Sequence, residues 1–296
     1  MKNLIRFDWG VKRLLRNKAN FGILEGFLSE LLNEDVKIDS ILESESNKAD
    51  KYQKFNKVDL LVQNSKGELI IIEIQNNREH DYLMRILFGT SILLVNNMGE
   101  GMMYSQIKKI ISVNIVYFDL GQGDDYLYHG TTNFIGINKN DVLKLSQDQQ
   151  LLYKTDSIAK VYPEYYIIKV NQFDEVAKNT LDEWIYFFKT EEIKDEFNAK
   201  GIKQAKKELT ILNLSDSERR EYEIFIEQER YEESLIVSNY KVGEIKGEIK
   251  GKIEGKIEQQ LEIAKKGLVK GMSVEDIADL TGLSIQEIEI LKHHKQ

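Results

Sequence analysis

Two carboxylates and an amide lie in or beside apolar stretches, where polar side chains are costly to bury. Glu73 and Gln75 occur in the run LIIIEIQ, residues 69–75, and Asp59 directly precedes a second apolar run, LLV. Burial of an unpaired carboxylate carries a large desolvation penalty, so Glu73 needs a compensating partner. Clusters of oxygen donors suit a hard divalent cation, because Mg²⁺ binds one or two carboxylates together with waters and substrate phosphate oxygens. These residue types therefore predict a divalent cation as that partner.

The two apolar runs have the pattern of a β-hairpin. The segment KVDLLVQNSKGELIIIEIQ, residues 57–75, reads as strand, turn and strand, with the turn at residues 64–67. Residues two apart on a strand share a face, so Glu73 and Gln75 are neighbours. The opposite face of this strand carries Ile70, Ile72 and Ile74. The hairpin brings Asp59 towards the same end of the sheet.

An amphipathic helix predicted at residues 21–32 supplies a fourth candidate. Its apolar residues recur at helical spacing in the stretch FGILEGFLSELL. Glu25 and Leu32 are seven residues apart, which places them on nearly the same side of a helix with about 3.6 residues per turn. The Glu25 carboxylate therefore borders the buried stripe, from which it can approach the strand carboxylates.

Ion pairing inside the sheet is the alternative account of the same carboxylates. Lys57 lies two residues before Asp59, and Arg85 lies within the apolar pattern of a helix predicted over residues 78–98. These two cations would neutralise Asp59 and Glu73 without any metal. The short D-x(n)-E-x-Q pattern does not decide between a metal site and ion pairs.

The composition of the chain excludes several kinds of chemistry. The 296 residues include no cysteine, which excludes disulfides, thiol nucleophiles and cysteine-based zinc sites. The net charge of -8 argues against a protein that covers nucleic acid through a general positive field. The basic run VKRLLRNK, which contains Lys12, is typical of a solvated helix face or of a local phosphate contact. Because no run of about eighteen apolar residues occurs, we expect a soluble cytoplasmic protein.

Changes in pattern along the chain predict four segments. A further buried strand is predicted at residues 108–118, and further short strands are predicted at 126–137 and 162–170. Residues 35–56 are polar and predict a partly extended or mobile connection. The predicted segments are a core at residues 1–172, a helical region at 173–240, a Gly/Ile repeat at 241–258 and a small helical segment at 259–296.

The segment GEIKGEIKGKIEGKIE, residues 243–258, is an internal repeat with a period of four residues. Glycine costs about 0.5–1 kcal/mol relative to alanine at each helical position, so an isolated helix of this composition is marginal. Two such helices would associate through their isoleucine stripes, with glycine allowing close approach. The repeat therefore predicts a homodimer or higher homo-oligomer through the C-terminal helices, and a flexible charged linker is the alternative.

Several motifs together resemble a known family. They are VKRLL, ILEGFLSELL, KVDLLV, GELIIIEIQ, YLMRILF, GMMY and KKIISVNIVYF. In order and approximate spacing they are similar to the PD-(D/E)xK nuclease family transposases, the Rpn group of recombination-promoting nucleases. The resemblance implies an α/β, restriction-endonuclease-like core, with a mixed central sheet flanked by helices and a helical C-terminal extension. It also implies Mg²⁺-dependent cleavage of DNA, with Mn²⁺ as a second possible metal, in a recombination-related activity.

The resemblance also assigns roles to single residues. Asp59 and Glu73 match the metal-binding carboxylates. Gln75 stands where the wider superfamily has lysine, and it would position the nucleophilic water. Glu25 matches a helical acidic residue that supports the metal shell. Arg85 matches an arginine after the motif and would contact phosphate, and the basic run at the start of the chain, with Lys12, is a further phosphate candidate.

A second hypothesis assigns the same fold a binding role. Gln75 in place of lysine is one way in which a nuclease site decays, which would leave a degenerate fold that binds DNA or protein. A third possibility is a helix-turn-helix DNA reader in the terminal segment VEDIADLTGLSIQEIEILK. Its second helix carries Glu287 and Glu289, which would face phosphate, so self-association or an adaptor role is the preferred reading of this segment.

Overall fold

The structure, a computed structural model, describes five stretches of the chain. These are residues 4–14, 20–42, 60–99, 101–210 and 214–293, with backbone only for residues 11–14. By its internal contacts the chain divides into two compact units, Met1–Glu223 and Ile224–Gln296. The finer boundaries that the sequence suggests at residues 172, 240 and 258 stay predictions.

The described residues alternate helices and strands in the first unit and are helical in the second. The helices are α1 Phe7–Leu14, α2 Phe21–Leu32, α3 Tyr82–Asn96, α4 Gln147–Tyr153, α5 Thr180–Thr190, α6 Ile202–Glu208, α7 Asp216–Val269, α8 Val274–Thr281 and α9 Ile285–His293. The strands are β1 Ile38–Leu42, β2 Leu60–Asn64, β3 Leu69–Gln75, β4 Ile110–Val116, β5 Leu127–Gly130 and β6 Glu164–Lys169. In this part of the chain, no helix combines the length and the apolar character needed to span a membrane.

The strands form one mixed sheet of six strands in the order β1-β2-β3-β4-β6-β5. The three central strands β3, β4 and β6 are parallel, whereas the pairs β1–β2, β2–β3 and β5–β6 are antiparallel. Because the central strands are parallel, their carboxyl ends meet at one edge of the sheet. The predicted α/β class with a mixed central sheet is confirmed.

The hairpin of β2 and β3 also forms as predicted. Its turn is closed by Asn64, whose Oδ1 accepts hydrogen bonds from the backbone N–H of Lys66 at 3.1 Å and of Glu68 at 2.9 Å. Gly67 has a φ of +80°, a conformation that glycine adopts without strain. At the open end, Leu60 lies opposite Ile72, which fixes the register of the hairpin.

Helix α3 lies over one face of the sheet. At its carboxyl end, Leu93 and Leu94 pack against a buried cluster that includes Leu69, Ile71 and Ile110. At its amino end, Tyr82 and Ile86 belong to a second cluster with Val116 and Phe118. The helix thus runs along the odd-numbered face of β3, the face on which Glu73 and Gln75 also lie.

An aromatic core joins helices α1, α2 and α5. The ring of Phe7 lies 6.1 Å from that of Phe27 and 4.5 Å from that of Phe188. Trp184 is fully buried in the same group, and its Nε1 donates to the carbonyl of Lys200 at 3.3 Å. This core holds the amino-terminal helices and α5 in one unit.

The polar segment after α2 contains a strand that the sequence pattern missed. Residues 35–56 predict a partly extended connection, but β1, Ile38–Leu42, pairs with β2 at the edge of the sheet. The register shifts between Ile38 and Ser40. A short, irregular edge strand has no clean alternation of apolar residues, so its pairing partner rather than its own sequence defines it.

The repeat lies within the helix α7, so the helical reading of this segment is the one that the structure shows. In the second unit, Ala264, Ile277 and Ile288 form a small buried cluster from α7, α8 and α9. Ser273 caps the amino end of α8, since its Oγ accepts a hydrogen bond from Asp276 N at 3.1 Å. The second unit therefore has its own small apolar core.

Candidate functional site

The carboxyl ends of β3 and β4 place polar side chains beneath the first turn of α3. Glu73 pairs in register with Asn114 of β4, so both side chains lie on the α3 face of the sheet. Glu73 is only 9% exposed and Asn114 only 1%. Tyr82, the first residue of α3, donates its hydroxyl to Asn114 Oδ1 at 3.4 Å. Polar side chains are thus buried together at this edge of the sheet.

Arg85 lies between two carboxylates at this edge. Its Nη2 is 3.7 Å from Glu73 Oε2, whereas its Nη1 donates to Glu79 Oε1 at 2.7 Å. Burial by itself would lower the pKa of Arg85, but Glu73 and Glu79 together raise this pKa above its ordinary value. The contact between Arg85 and Glu73 is the one that the ion-pair alternative predicts.

The Gln75 side chain is held by its nitrogen. Gln75 Nε2 donates to Glu79 Oε1 at 2.9 Å and to the carbonyl of Asn77 at 3.2 Å. Both hydrogen bonds join Gln75, the last residue of β3, to the segment that follows this strand. Glu73, Gln75, Glu79 and Arg85 therefore form one hydrogen-bonded and ion-paired group, which we call the β3-edge cluster.

Sequence reasoning missed Glu79 and Asn114. Asn114 donates to Ser112 Oγ at 3.0 Å and to the carbonyl of Tyr166 at 3.2 Å. The signal for Asn114 was present, because Ser112 and Asn114 interrupt the apolar strand IISVNIV at alternate positions. Glu79 carried no such signal, since it follows the strand in an irregular segment whose path the sequence pattern does not define.

Glu25 has partners of its own in the structure. Its Oε1 accepts a hydrogen bond from the backbone N–H of Ile38 at 2.9 Å, and its Oε2 accepts one from Lys37 Nζ at 3.2 Å. Ile38 lies opposite Asn64, about 13 Å along β2 from Leu60 at a strand rise of about 3.3 Å. The contacts of Glu25 thus tie it to the start of β1, and its role in a metal shell stays a prediction.

The remaining predicted residues fall outside the described part of the chain. Asp59, the first predicted metal ligand, and Lys57, its alternative partner, lie in the undescribed stretch 43–59. Lys12 belongs to α1, where only the backbone is described. Within the described residues, no group of three or more acidic or histidine side chains is arranged to hold a metal ion.

The donor set at the β3 edge is nevertheless compatible with Mg²⁺ in its chemistry. Glu73 offers a carboxylate and Gln75 an amide oxygen on the same face of one strand. Mg²⁺ is usually held through only one or two carboxylates, with waters and substrate oxygens completing its shell. One carboxylate from the described residues and a second from Asp59 would meet this requirement.

A second carboxylate of the sheet, Glu164 at the start of β6, has a side chain that is 17% exposed. Its Oε1 accepts from Lys109 Nζ at 2.8 Å, and its Oε2 lies 3.2 Å from His129 Nε2. Lys109 also donates to the carbonyls of Ala159 at 3.0 Å and Tyr162 at 2.6 Å. Burial alone would raise the pKa of Glu164, but Lys109 and His129 lower this pKa below its ordinary value. We call this group the Glu164 cluster.

The mixed sheet and the Glu-x-Gln edge both lie within the part of the chain that matches a nuclease-like family model. A family model described as PD-(D/E)XK nuclease family transposase matches residues 5–238. The chain therefore belongs to this family, as its motifs predict. A comparison with curated proteins and another with solved structures gave no match.

Proposed function

We propose that this protein is a Mg²⁺-dependent DNA endonuclease that hydrolyses phosphodiester bonds, with a transposase-like, recombination-promoting role in the cytoplasm. The observation that carries the proposal is the placement of Glu73 and Gln75 on one face at the carboxyl end of β3, in a chain of this nuclease family. Mn²⁺, with similar oxygen preferences, is the alternative metal. Membership of the recombination-promoting group is part of the same proposal.

Asp59 completes the metal site in this proposal. β2 begins at Leu60, opposite Ile72 of β3, and Asp59 directly precedes Leu60 in the sequence. The proposal continues the antiparallel register by one residue, which pairs Asp59 with Glu73. Two carboxylates on one face repel each other in a medium of low dielectric constant, and a divalent cation between them removes that repulsion.

The other side chains of the β3 edge orient and neutralise the reactants. Gln75 orients the attacking water, and Arg85 balances negative charge on the phosphate, with Lys12 as a further phosphate contact. Bound Mg²⁺ would supply Lewis-acid polarisation of the phosphodiester and activation of water. Glu79 and Tyr82 keep Arg85 at the first turn of α3, by a hydrogen bond at 2.7 Å and a ring contact at 5.8 Å.

A binding role without catalysis is the second candidate, and one observation favours it. Arg85 already supplies a cation to Glu73, at 3.7 Å between Nη2 and Oε2. If this ion pair is the permanent partner of Glu73, the fold is a degenerate nuclease that binds DNA or protein. The two candidates differ in whether Glu73 binds a divalent metal.

Plasmid cleavage tests the proposal directly. Purified protein is incubated with supercoiled plasmid and Mg²⁺ or Mn²⁺, beside the variants Asp59→Asn and Glu73→Gln. We expect nicked or linear DNA from the wild type and a loss of at least about 100-fold in rate for both variants, since each removes a proposed ligand. Glu164→Gln is the control, because it removes a partly buried carboxylate at the start of β6, and urea denaturation checks that each variant is folded under the assay conditions.

The proposed endonuclease activity would be wrong if the plasmid stayed uncut under all metal conditions, or if the wild type and both variants cleaved it equally. Calorimetry with Mg²⁺ separates the binding-only candidate, which predicts no metal affinity that depends on Glu73.

We also propose that the repeat in α7 associates with the repeat of a second copy of the chain. Four isoleucines form a stripe that is between 46% and 55% exposed: Ile245, Ile249, Ile253 and Ile257. Like charges stand four residues apart beside this stripe, as at Glu244 and Glu248, which is unfavourable in a single helix. The charge order changes from GEIK to GKIE at Gly251, and opposite charges stand four residues apart there, as in the pairs Glu248–Lys252 and Lys250–Glu254.

Sedimentation velocity tests this association. We expect a dimer or larger oligomer for the wild type and dissociation when Ile249→Lys and Ile253→Lys are combined. Leu280→Lys is the control, since Leu280 is 63% exposed on α8, outside the stripe. A monomeric wild-type protein at micromolar concentration would overturn the association.

A further inference from the structure

The role of Gln75 in the proposed reaction depends on which end of its amide faces the reactants. We propose that Glu79 is a positioning residue, which fixes the Gln75 amide so that its oxygen, and not its nitrogen, is available at the site. Gln75 then accepts a hydrogen bond from water or offers an oxygen to the metal, and it does not donate to phosphate. This inference rests on the proposed function and deepens it.

The hydrogen bonds of Gln75 determine the orientation of its amide. A glutamine nitrogen carries two hydrogens, and here one donates to Glu79 Oε1 at 2.9 Å and the other to the carbonyl of Asn77 at 3.2 Å. The bond to the Glu79 carboxylate is charge-assisted and therefore stronger than a neutral one. A flipped amide would place its oxygen against a carboxylate and a carbonyl, which both accept hydrogen bonds. The nitrogen is thus committed to the segment after β3.

The oxygen of the same amide is left for another partner. Among the described residues, no group donates a hydrogen bond to Gln75 Oε1. The side chain lies on the same strand face as Glu73, two residues further along β3. An amide oxygen beside a carboxylate adds to the oxygen donors of a Mg²⁺ site, whereas a lysine at this position would add a positive charge.

Glu79 has a second effect through Arg85. The same oxygen, Glu79 Oε1, accepts from Gln75 and from Arg85 Nη1 at 2.7 Å. The Arg85 Nη2 contact to Glu73 is longer, at 3.7 Å. Glu79 therefore draws the guanidinium towards itself, and its removal would release Arg85 to pair more closely with Glu73. That closer ion pair would compete with a metal for the carboxylate.

The first test observes the amide in metal-free protein. In full-length chain labelled with ¹⁵N-glutamine, the Gln75 NH₂ signals are assigned by their absence in Gln75→Leu. We expect their exchange with water to be slowed in the wild type, fast in Glu79→Ala and slowed again in Glu79→Gln, whose amide oxygen accepts the same hydrogen bond. Fast exchange in the wild type, or slow exchange in Glu79→Ala, would overturn the inference whether or not DNA is cut.

The second test measures Mg²⁺ binding to the same proteins by calorimetry. We expect Glu79→Ala to weaken Mg²⁺ affinity by about 10–100-fold, as loss of a supporting contact outside the ligand set does, with Glu79→Gln retaining most of it. Asp156→Ala is the control, because it removes an ion pair of 3.0 Å with Lys160 on another segment. If Glu79→Ala bound Mg²⁺ as tightly as the wild type, the inference about Glu79 would be wrong, and the proposed nuclease activity would be unaffected. Slow exchange of the Gln75 amide in a protein that binds no Mg²⁺ would contradict the proposed Mg²⁺-dependent nuclease activity. It would still agree with the positioning of Gln75 by Glu79.

Discussion

The sheet holds two largely buried carboxylates, and the two are compensated differently. In the Glu164 cluster, Lys109 Nζ lies 2.8 Å from one carboxylate oxygen and His129 Nε2 lies 3.2 Å from the other. In the β3-edge cluster, the guanidinium that serves Glu73 is 3.7 Å away and makes its shorter contact, 2.7 Å, to Glu79. Lys109 thus lies within direct hydrogen-bond distance of Glu164, whereas Arg85 lies closer to Glu79 than to Glu73.

Burial of a carboxylate does not by itself identify a reactive site. A buried ion pair with direct hydrogen bonds to both oxygens is a structural element, and breaking it leaves an uncompensated charge. A guanidinium 3.7 Å from a carboxylate stabilises it less than a divalent ion in direct contact would. The Glu164 cluster is therefore an internal control for the β3-edge cluster, and the following predictions use it as one.

The largest effect on stability is expected from Glu164→Gln. Lys109, whose side chain is 11% exposed, would keep its charge but lose its carboxylate, so we expect a loss of about 3 kcal/mol in the free energy of unfolding. Urea denaturation measures it. The control is Glu175→Gln, which removes an exposed pair with Lys189 at 3.3 Å and should cost less than about 1 kcal/mol. Equal losses of unfolding free energy in the two variants would contradict a stabilising role for the Glu164 cluster.

The response to metal should distinguish the two carboxylates next. Mg²⁺ at about 100 times its dissociation constant should stabilise the wild type by about 2.7 kcal/mol by mass action. We expect this gain to vanish in Glu73→Gln and to persist in Glu164→Gln, because only Glu73 is a proposed ligand. Urea denaturation with and without Mg²⁺ gives both values. If Mg²⁺ still stabilised Glu73→Gln, the ion would bind at another place, and Glu73 would not be its ligand.

The pH dependence of stability sharpens the comparison further. The pKa of Glu164 in the folded chain lies below its ordinary value of 4.5 because of Lys109 and His129. The unfolded chain therefore binds the proton first, and the stabilisation is complete above that value and lost as pH falls through the lowered folded pKa. We expect the stability difference between wild type and Glu164→Gln to shrink as pH falls below about 4.5. A constant difference across this range would contradict the ion cluster.

The smallest effect is expected from the exposed member of the Glu164 cluster. His129 is 45% exposed at its side chain, and its ring stacks on Tyr166 at 4.3 Å. His129→Phe keeps an aromatic ring for stacking and removes the contact with Glu164, so we expect a loss of only about 0.5–1 kcal/mol at neutral pH. Urea denaturation beside Glu164→Gln measures the ratio of the two effects. A loss as large as that of Glu164→Gln would mean that His129, not Lys109, compensates the carboxylate.

Short-range patterns in the sequence predicted most of the local structure. The hairpin of β2 and β3, the helix α3 and the strands β4 and β6 follow from alternation, helical spacing and turn residues, which act between neighbours in the chain. The same alternation placed Glu73 and Gln75 on one face, and the contacts of both with the Glu79–Arg85 pair are consistent with it. The edge strand β1 escaped because its own residues carry no regular pattern.

The sequence by itself determined the family, the α/β class and the shared face of Glu73 and Gln75, because motifs and strand periodicity are local properties of the chain. Only the tertiary structure decided that Glu79 folds back onto Gln75, that Arg85 divides its charge between Glu73 and Glu79, and that Glu25 binds the start of β1. These contacts depend on how separate elements and irregular segments meet in space. Packing across the sheet determines these contacts, so the spacing of residues along the chain does not predict them.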